Sequence, residues 1–181
     1  MESLPPGGGA ARRRSSGGNS VINISARVDY GVRVLCTLAA SDAPMTSEQL
    51  AASQQLPHKF LESILTDLRR GGVLVSKRGA DGGYRLARPA DSITLGDVVG
   101  PLVGTIAEVR GERPERTAYA GPAEHLRSVW FVMRDHLEAV LEQITIACIV
   151  SGDLPDAVGP VPPVPAASMH ASLGVETAPA V

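Results

Sequence analysis

Residues 46–86 leave the chain little choice of fold: two helical patterns, separated by a short turn, run straight into a glycine-tipped hairpin. Thr46 and Gln49 have the spacing of a capping box, in which a hydroxyl caps the helix and an amide three residues on reaches back. Leu50 and Ala51 fall on the inner face, and Ala51 is small enough for a second helix to cross close by. Gln54-Gln55-Leu56 supplies the turn, and Pro57 fits the first position of the next helix, where its missing N–H costs nothing. That helix carries Phe60, Leu61, Ile64, Leu65 and Leu68, one apolar stripe at helical period. The opposite face carries His58, Lys59, Glu62, Ser63, Thr66, Asp67, Arg69 and Arg70. Gly71-Gly72 ends the helix. Val73-Leu74-Val75 and Tyr84-Arg85-Leu86 read as short strands, with Gly79, Gly82 and Gly83 accommodating positive φ in the loop between them. This is the plan of a winged helix-turn-helix, a fold that lays one helix in the DNA major groove.

The flanking segments follow from periodicity. Ser25 caps a first helix running to about Ala40, with Val28, Leu35 and Leu38 on one stripe, widened by Val32 and Val34. Gly31 in its interior costs roughly 1 kcal/mol relative to alanine, which a close helix crossing would explain. After the hairpin, Thr94 and Asp97 form another capping pair at the start of a short helix over 95–103. In 104–121 the pattern dissolves; Gly111, Pro114 and five charges within 110–116 predict an exposed loop. From Pro122 onward, Leu126, Val129, Trp130, Met133, Leu137, Val140, Leu141 and Ile144 share one face. The stripe covers about 22 residues, or about 33 Å of helix. So long a stripe exceeds what the small domain needs to cover itself and reads as a dimerisation helix packed on its two-fold mate. The alternative is a helix folded back on its own domain, and the two readings can hold for different parts of the face.

The chain of 181 residues fits one domain plus tails. Segments 1–23, Gly/Ser/Pro-rich with Arg12-Arg13-Arg14, and 152–181, proline-rich, lack the apolar content for a core and read as disordered. Between them lie a DNA-binding unit at 24–90, a short helix and loop at 91–121, and the dimerisation helix at 122–151. The formal net charge of −2 does not advertise nucleic-acid binding, but its distribution does. Residues 24–90 hold nine Lys and Arg against six Asp and Glu, whereas residues 91–181 hold five against twelve. A basic half joined to an acidic half suits a DNA-facing end and a partner- or solvent-facing end; ordinary surface variation is the bland alternative. No apolar run is long enough to span a membrane and no signal peptide is apparent, so a cytoplasmic protein is expected. There is no phosphate loop, nucleophile elbow or zinc helix, and no catalytic set. Cys36 and Cys148 match no metal spacing. Cys36, inside an apolar helix, reads as a buried structural thiol. His125 and His136, eleven residues apart on one helix, are too distant to share a metal.

At these residues the chain resembles the IscR/NsrR/CymR-type winged-helix regulators of bacteria. The resemblance is carried by SARVDYGVRVL at 25–35, FLESILTDLRRGGVL at 60–74, RGADGGYRLARP at 78–89 and VLEQITIACI at 140–149. It extends over about 24–151, which places the expected native start near Val21. It implies a mainly α fold, with a two-stranded β wing and a long C-terminal helix on which a homodimer is built. Cluster-binding relatives carry three closely spaced cysteines between the fourth helix and the long helix; here 104–121 has none. An iron–sulfur cluster needs thiolate or comparable ligands, so no metal or cofactor is expected. Asp29 matches a cluster-ligating position in some relatives, and without the cysteines a helix-surface or interhelix hydrogen bond is its expected role.

The residues expected to meet double-stranded DNA follow. Lys59 and Glu62, on the outward face in the first turns of the second helix, can reach base edges: lysine bonds guanine O6/N7, and glutamate accepts from cytosine N4. A carboxylate near phosphates is otherwise repulsive, so Glu62 favours direct readout; by resemblance, the matching acidic residue in some relatives reads a base. Arg78 precedes the wing glycines, and the resemblance places it in the minor groove, where a narrow, negative groove favours arginine. His58, Arg69, Arg70, Lys77 and Arg85 are expected phosphate contacts, giving affinity and salt dependence without sequence choice. The expected function is sequence-specific transcriptional regulation, as a repressor, by a homodimer on a palindromic operator. The alternative is a winged-helix module used for protein interaction, with ordinary surface residues at these positions. A small-molecule effector is a further possible partner, its pocket sought beside loop 104–121.

Overall fold

The computed structural model describes residues 24–79 and 82–159. Its elements, in order, are α1 (Ala26–Ala39), α2 (Ser47–Gln54), α3 (His58–Arg70), β1 (Leu74–Lys77), β2 (Gly83–Leu86), α4 (Leu95–Val103), α5 (Leu126–Gln143) and α6 (Ile146–Ser151). Short 3₁₀ turns lie at Ala90–Ser92, Pro114–Arg116, Gly121–Ala123 and Asp156–Val158. This is a mainly helical protein with one antiparallel two-stranded sheet, a winged helix-turn-helix as the sequence predicts.

Most signals in 46–86 act as expected; Pro57, however, is the N-cap of α3 and not its first residue, and of the loop glycines Gly79 and Gly83 adopt positive φ while Gly82 does not. Gln49 N–H donates to the Thr46 hydroxyl at 3.3 Å, and Thr46 N–H donates to the Gln49 side-chain oxygen at 2.8 Å. Leu50 and Ala51 are buried. The turn between α2 and α3 is closed by Gln55, held in the left-handed region at φ 53, ψ 44. A non-glycine residue there is uncommon and costs roughly 1 kcal/mol or more. Pro57 precedes the first turn of α3 as its N-cap. Leu61, Ile64, Leu65 and Leu68 are fully buried, whereas Phe60, at the margin of the stripe, remains 37% exposed and stands edge-on to Tyr30.

The hairpin pairs Leu74 with Leu86, Val75 with Arg85, Ser76 with Tyr84 and Lys77 with Gly83. Met45 adds a further rung, donating to Tyr84 O at 3.1 Å and accepting from Tyr84 N–H at 2.8 Å. That rung requires glycine at 83: φ is 148°, and a Cβ there would lie 2.7 Å from the Met45 carbonyl oxygen.

The core gathers Val34, Leu35 and Leu38 of α1, the inner residues of α2 and α3, and Ile93, Val98, Leu102 and Ile146. Gly31 sits where α1 meets α4 and α3. An added Cβ would fall 2.6 Å from Leu102 Cδ1, so the close crossing accounts for the glycine. Gly71 plays the same part at the end of α3, where a Cβ would meet Pro101 of α4 at 2.3 Å.

The C-terminal half departs from expectation in three ways. First, the helix anticipated over 122–151 is two helices. Residues 121–123 form a 3₁₀ turn and α5 ends at Gln143. Ile144 is its C-cap, in extended conformation, rather than a member of the helical stripe. The break has a cause: the Ile144 carbonyl accepts from Leu95 N–H at 2.8 Å, and Ile146 N–H donates to the Ile93 carbonyl at 2.9 Å. Thr145 then caps α6, whose Ile146 is fully buried and which packs on α1.

Second, the loop over 104–121 is largely exposed, as expected, but it is also strapped to α5. Pro114 and Thr117 are buried, and the Thr117 hydroxyl donates to the Pro114 carbonyl at 2.7 Å. Trp130 Nε1–H donates to the Tyr119 hydroxyl at 3.1 Å, and Arg127 donates to the Glu115 carbonyl at 3.2 Å. Arg134, its side chain only 14% exposed, pairs with Glu115, Asp135 and Glu138 and lies over the Phe131 ring. The Glu115 carboxyl is held below its ordinary range, first by its own backbone N–H and then by Arg134.

Third, the segment read as a disordered tail from residue 152 opens with an ordered turn at Asp156–Val158 that packs against α5. The expectations for 1–23, including Arg12–Arg14 and the start site, and for 160–181 lie outside the described residues.

Replacing Gly31 with alanine forces Leu102 or α1 itself to move. The expected outcome for Gly31→Ala is a loss of about 1–3 kcal/mol, typical of overpacking, despite alanine's better helix propensity. Urea denaturation checks it; unchanged or raised stability would mean that the crossing is looser than described.

Candidate nucleic-acid interface

The outward face of α3 exists because its inward face is saturated with leucine and isoleucine. Lys59 and Glu62 are exposed there, with Ser63 beside them and Arg69 and Arg70 at the far end. Lys77, Arg78 and Arg85 are exposed along the wing. Lys77 and Arg85 lie on the same face of the hairpin by strand alternation, opposite the face that carries Leu74 and Leu86. Helix face and wing therefore present Lys59, Arg69, Arg70, Lys77, Arg78 and Arg85, with Glu62 as the single carboxylate at a proposed contact position.

Some of these groups already have partners. Arg69 donates to the Ser76 hydroxyl at 3.3 Å, joining the end of α3 to β1. Arg70 lies 3.6 Å from Asp67 but is 77% exposed, so its guanidinium stays accessible. His58 is half-buried at the α2–α3 junction, with Nε2 3.2 Å from the Ser47 hydroxyl and 3.6 Å from Glu48. The Glu48 carboxyl is held below its ordinary range by its own backbone N–H, by the Thr46 hydroxyl and by His58. His58 thus closes the angle between the two helices as well as lying near the surface proposed for phosphate.

Arg27 of α1 holds α3 in place, a role the sequence reading does not anticipate. It donates to the Leu102 carbonyl at 3.3 Å and the Ser63 hydroxyl at 3.0 Å, and forms an ion pair with Asp67. Its guanidinium lies 6.0 Å from the centre of the Phe60 ring. One side chain therefore spans α1, α3 and α4. It also removes Asp67 from the groove-facing set, since that carboxylate is turned to Arg27 and Arg70. The signal was present: Arg27 lies four residues before Gly31, one turn along the same side of α1, and so above the close crossing.

An exposed, partly basic helix backed by a helix-turn-helix and flanked by a basic wing defines a DNA-binding protein of the winged-helix class. The Rrf2 family, described as iron-dependent transcriptional regulators, matches residues 24–152, and the chain belongs to that family. It is 39% identical over 137 residues to an HTH-type transcriptional regulator of Mycobacterium tuberculosis, covering 75% of this chain and 85% of the relative. It is 32% identical over 132 residues to the HTH-type regulator CymR of Bacillus subtilis, covering 72% and 91%. The solved structure of CymR, the global cysteine regulator of B. subtilis, superposes with a TM-score of 0.61 at 30% identity, covering 73% of this chain and 98% of that one. IscR of T. potens superposes at 0.58 with 27% identity, covering 79% and 95%. The protein is a DNA-binding transcriptional regulator. Among the described residues no helix is long and apolar enough to cross a membrane.

The family description raises the question of iron, and the donor set does not fit a cysteine-held cluster. The chain has two cysteines, neither within 104–121. Among the described residues no three His, Cys, Asp or Glu side chains gather as a metal site. Cys36 and Cys148, half-buried on the packed helices α1 and α6, are nearer in space than their sequence separation implies. Burial, and then Cys148, push the Cys36 thiol above its ordinary range, which disfavours the thiolate that binds metal. Asp29, at the position that ligates in some relatives, lies 3.7 Å from Arg33.

Lysine lacks the planar fork that lets Arg27 serve three partners at once. Arg27→Lys is expected to cost about 1–2 kcal/mol through lost charge-assisted hydrogen bonds. Urea denaturation measures it, and an unchanged midpoint would mean that α3 is held by its apolar face alone.

Proposed function

We propose that this regulator acts as a homodimer on a near-palindromic operator, as a repressor, without an iron–sulfur cluster. One observation carries the dimer: α5 contains no buried residue within the single chain, and Val129, Val132 and Met133 are 48%, 55% and 51% exposed. Leu126, Trp130, Leu137, Val140 and Leu141 are half-buried. The stripe is thus divided: Leu137 and Leu141 turn toward α1 and α4, while Val129 and Met133 remain for a two-fold mate. Ile144, at the break after α5, contributes only at the end of that surface. A two-fold axis through α5 sets two α3 helices into successive major grooves about 34 Å apart.

In this reading Lys59 and Glu62 contact base edges and Arg78 enters the minor groove. Arg69, Arg70, Lys77 and Arg85 neutralise phosphates, with His58 at the helix junction. A promoter occupied in this way by a compact dimer is closed to polymerase, which is the basis for naming a repressor.

Footprinting of the purified protein on its own upstream region tests the reading. The expected result is one protected palindrome. Glu62→Ala is expected to relax choice at one base position by about 1–3 kcal/mol. Arg85→Ala is expected to weaken all sequences alike and to flatten the salt dependence by about one charge per protomer. A Glu62→Ala protein with unaltered base preference would remove Glu62 from direct readout. No protection above random DNA would overturn the operator reading altogether.

Met133→Asp is expected to shift the protein from dimer to monomer in sedimentation velocity and to abolish the footprint, with the helical circular dichroism preserved. A variant that stays dimeric would place the two-fold interface elsewhere.

A further inference from the structure

A cavity of about 560 Å³ lies between α1, α4 and α5, beside the start of the 104–121 loop. Its size is within the range of small-molecule sites, about 300–1,000 Å³. Its walls are apolar: Val28 and Val32 from α1, Val99 and Val103 from α4, Leu137 and Leu141 from α5. Two charged side chains line it, Asp29 and Glu108, both carboxylates, and no lysine, arginine or histidine does. Arg33 partly answers Asp29 at 3.7 Å, but it lies outside the lining, and no ion pair engages Glu108 among the described residues.

We propose that this cavity is an effector site for a small apolar cation, an amine on an aromatic or aliphatic body. The apolar walls gain from burying hydrocarbon. The two carboxylates favour a positive end and repel an anionic one, so acidic metabolites and phosphates are disfavoured. The occupant is a small molecule rather than a second copy's helix because the cavity is walled from within one chain. Leu137 and Leu141 face it, while the exposed residues of α5 point elsewhere.

The location gives the site a regulatory meaning, which depends on the operator reading above. α4 forms one wall and also receives Arg27 through the Leu102 carbonyl, so it is shared between the cavity and the seat of α3. A ligand that binds one α4–α5 spacing better than another shifts the population of α3 orientations by that difference in affinity.

Calorimetric titration of the full-length protein with three probes of one shape tests the site: 4-phenylbutylamine, 4-phenylbutan-1-ol and 4-phenylbutyrate. The amine is expected to bind about fivefold more tightly than the alcohol, the worth of one exposed charge pair, and the carboxylate more weakly than both. Glu108→Gln is expected to narrow the gap between amine and alcohol while leaving alcohol binding intact. Val103→Trp, at a 38% exposed position able to turn its ring inward, is expected to remove binding of all three probes. Ile106→Trp serves the same purpose from the loop. Binding of none of the probes to the folded wild-type protein overturns the proposal, whether a partner helix or another segment fills the space. A carboxylate that binds as well as the amine overturns it too, as does amine binding that survives both tryptophan variants. Footprinting without ligand is read separately: loss of the footprint with amine binding intact falls on the operator reading, and the converse falls on the cavity.

Discussion

The placement of α3 depends on how closely α1 approaches α4. Gly31 permits that approach, since any Cβ would collide with Leu102. Arg27, one turn earlier on the same side, uses the short distance to reach the Leu102 carbonyl, Ser63 and Asp67 together. Packing and polar contacts here are not interchangeable. Leu61, Ile64, Leu65 and Leu68 are buried whatever the rotation of α3 within a few degrees, because hydrophobic burial is non-directional. The guanidinium fork is directional, and it selects one rotation. The proposed readout needs that choice, because Lys59 and Glu62 would have to arrive at base edges with hydrogen-bond accuracy.

The same economy of contacts continues beside Leu102, at the C-terminal end of α4. Pro101 lies over Gly71, so the end of α3 and the beginning of the wing are registered against α4. Thr94 and Thr145 form an isolated bridge that joins the start of α4 to the break between α5 and α6. The Thr94 hydroxyl also donates to Glu142 at 3.1 Å. α4 is therefore tied to the recognition unit at one end and to the long helix at the other. A change in the spacing of α4 and α5 cannot leave α3 untouched unless one of these joints yields.

The helix-turn-helix and wing were legible because each depends on local chemistry. Thr46 with Gln49, the five-residue stripe from Phe60 to Leu68, and the wing glycines act through neighbours a few residues away. What was not legible depends on distant partners. Nothing in the run from Val140 to Ile149 announces that Ile144 will leave the helix, because the cause is the Ile93–Leu95 backbone some fifty residues earlier. The charges in 110–116 are exposed as read, but nothing beside them announces that Glu115 pairs with Arg134, nineteen residues on. Arg27 was passed over for the same reason, since its partners lie up to 75 residues away. The division of the α5 stripe between an inward and an outward half was foreseen only as a possibility, because helical periodicity gives the width of an apolar face and not its neighbours.

The strap on α5 bears on how a member of an iron-dependent family works with so few thiols. In the cluster-binding regulators that the chain resembles, the segment between α4 and α5 is the one that carries the cysteines. Here the segment has instead the pairs of Trp130 with Tyr119, Arg127 with the Glu115 carbonyl, and Arg134 with Glu115. These side-chain contacts join the loop to α5. The loop's first residues, Thr105, Ile106 and Glu108, line the cavity before the strap begins. Whatever occupies that cavity therefore acts on the joint between a rigid segment and the helix proposed to carry the dimer. A cluster lost or gained would change that joint through coordination chemistry; a side-chain strap leaves it to the volume and charge of the occupant.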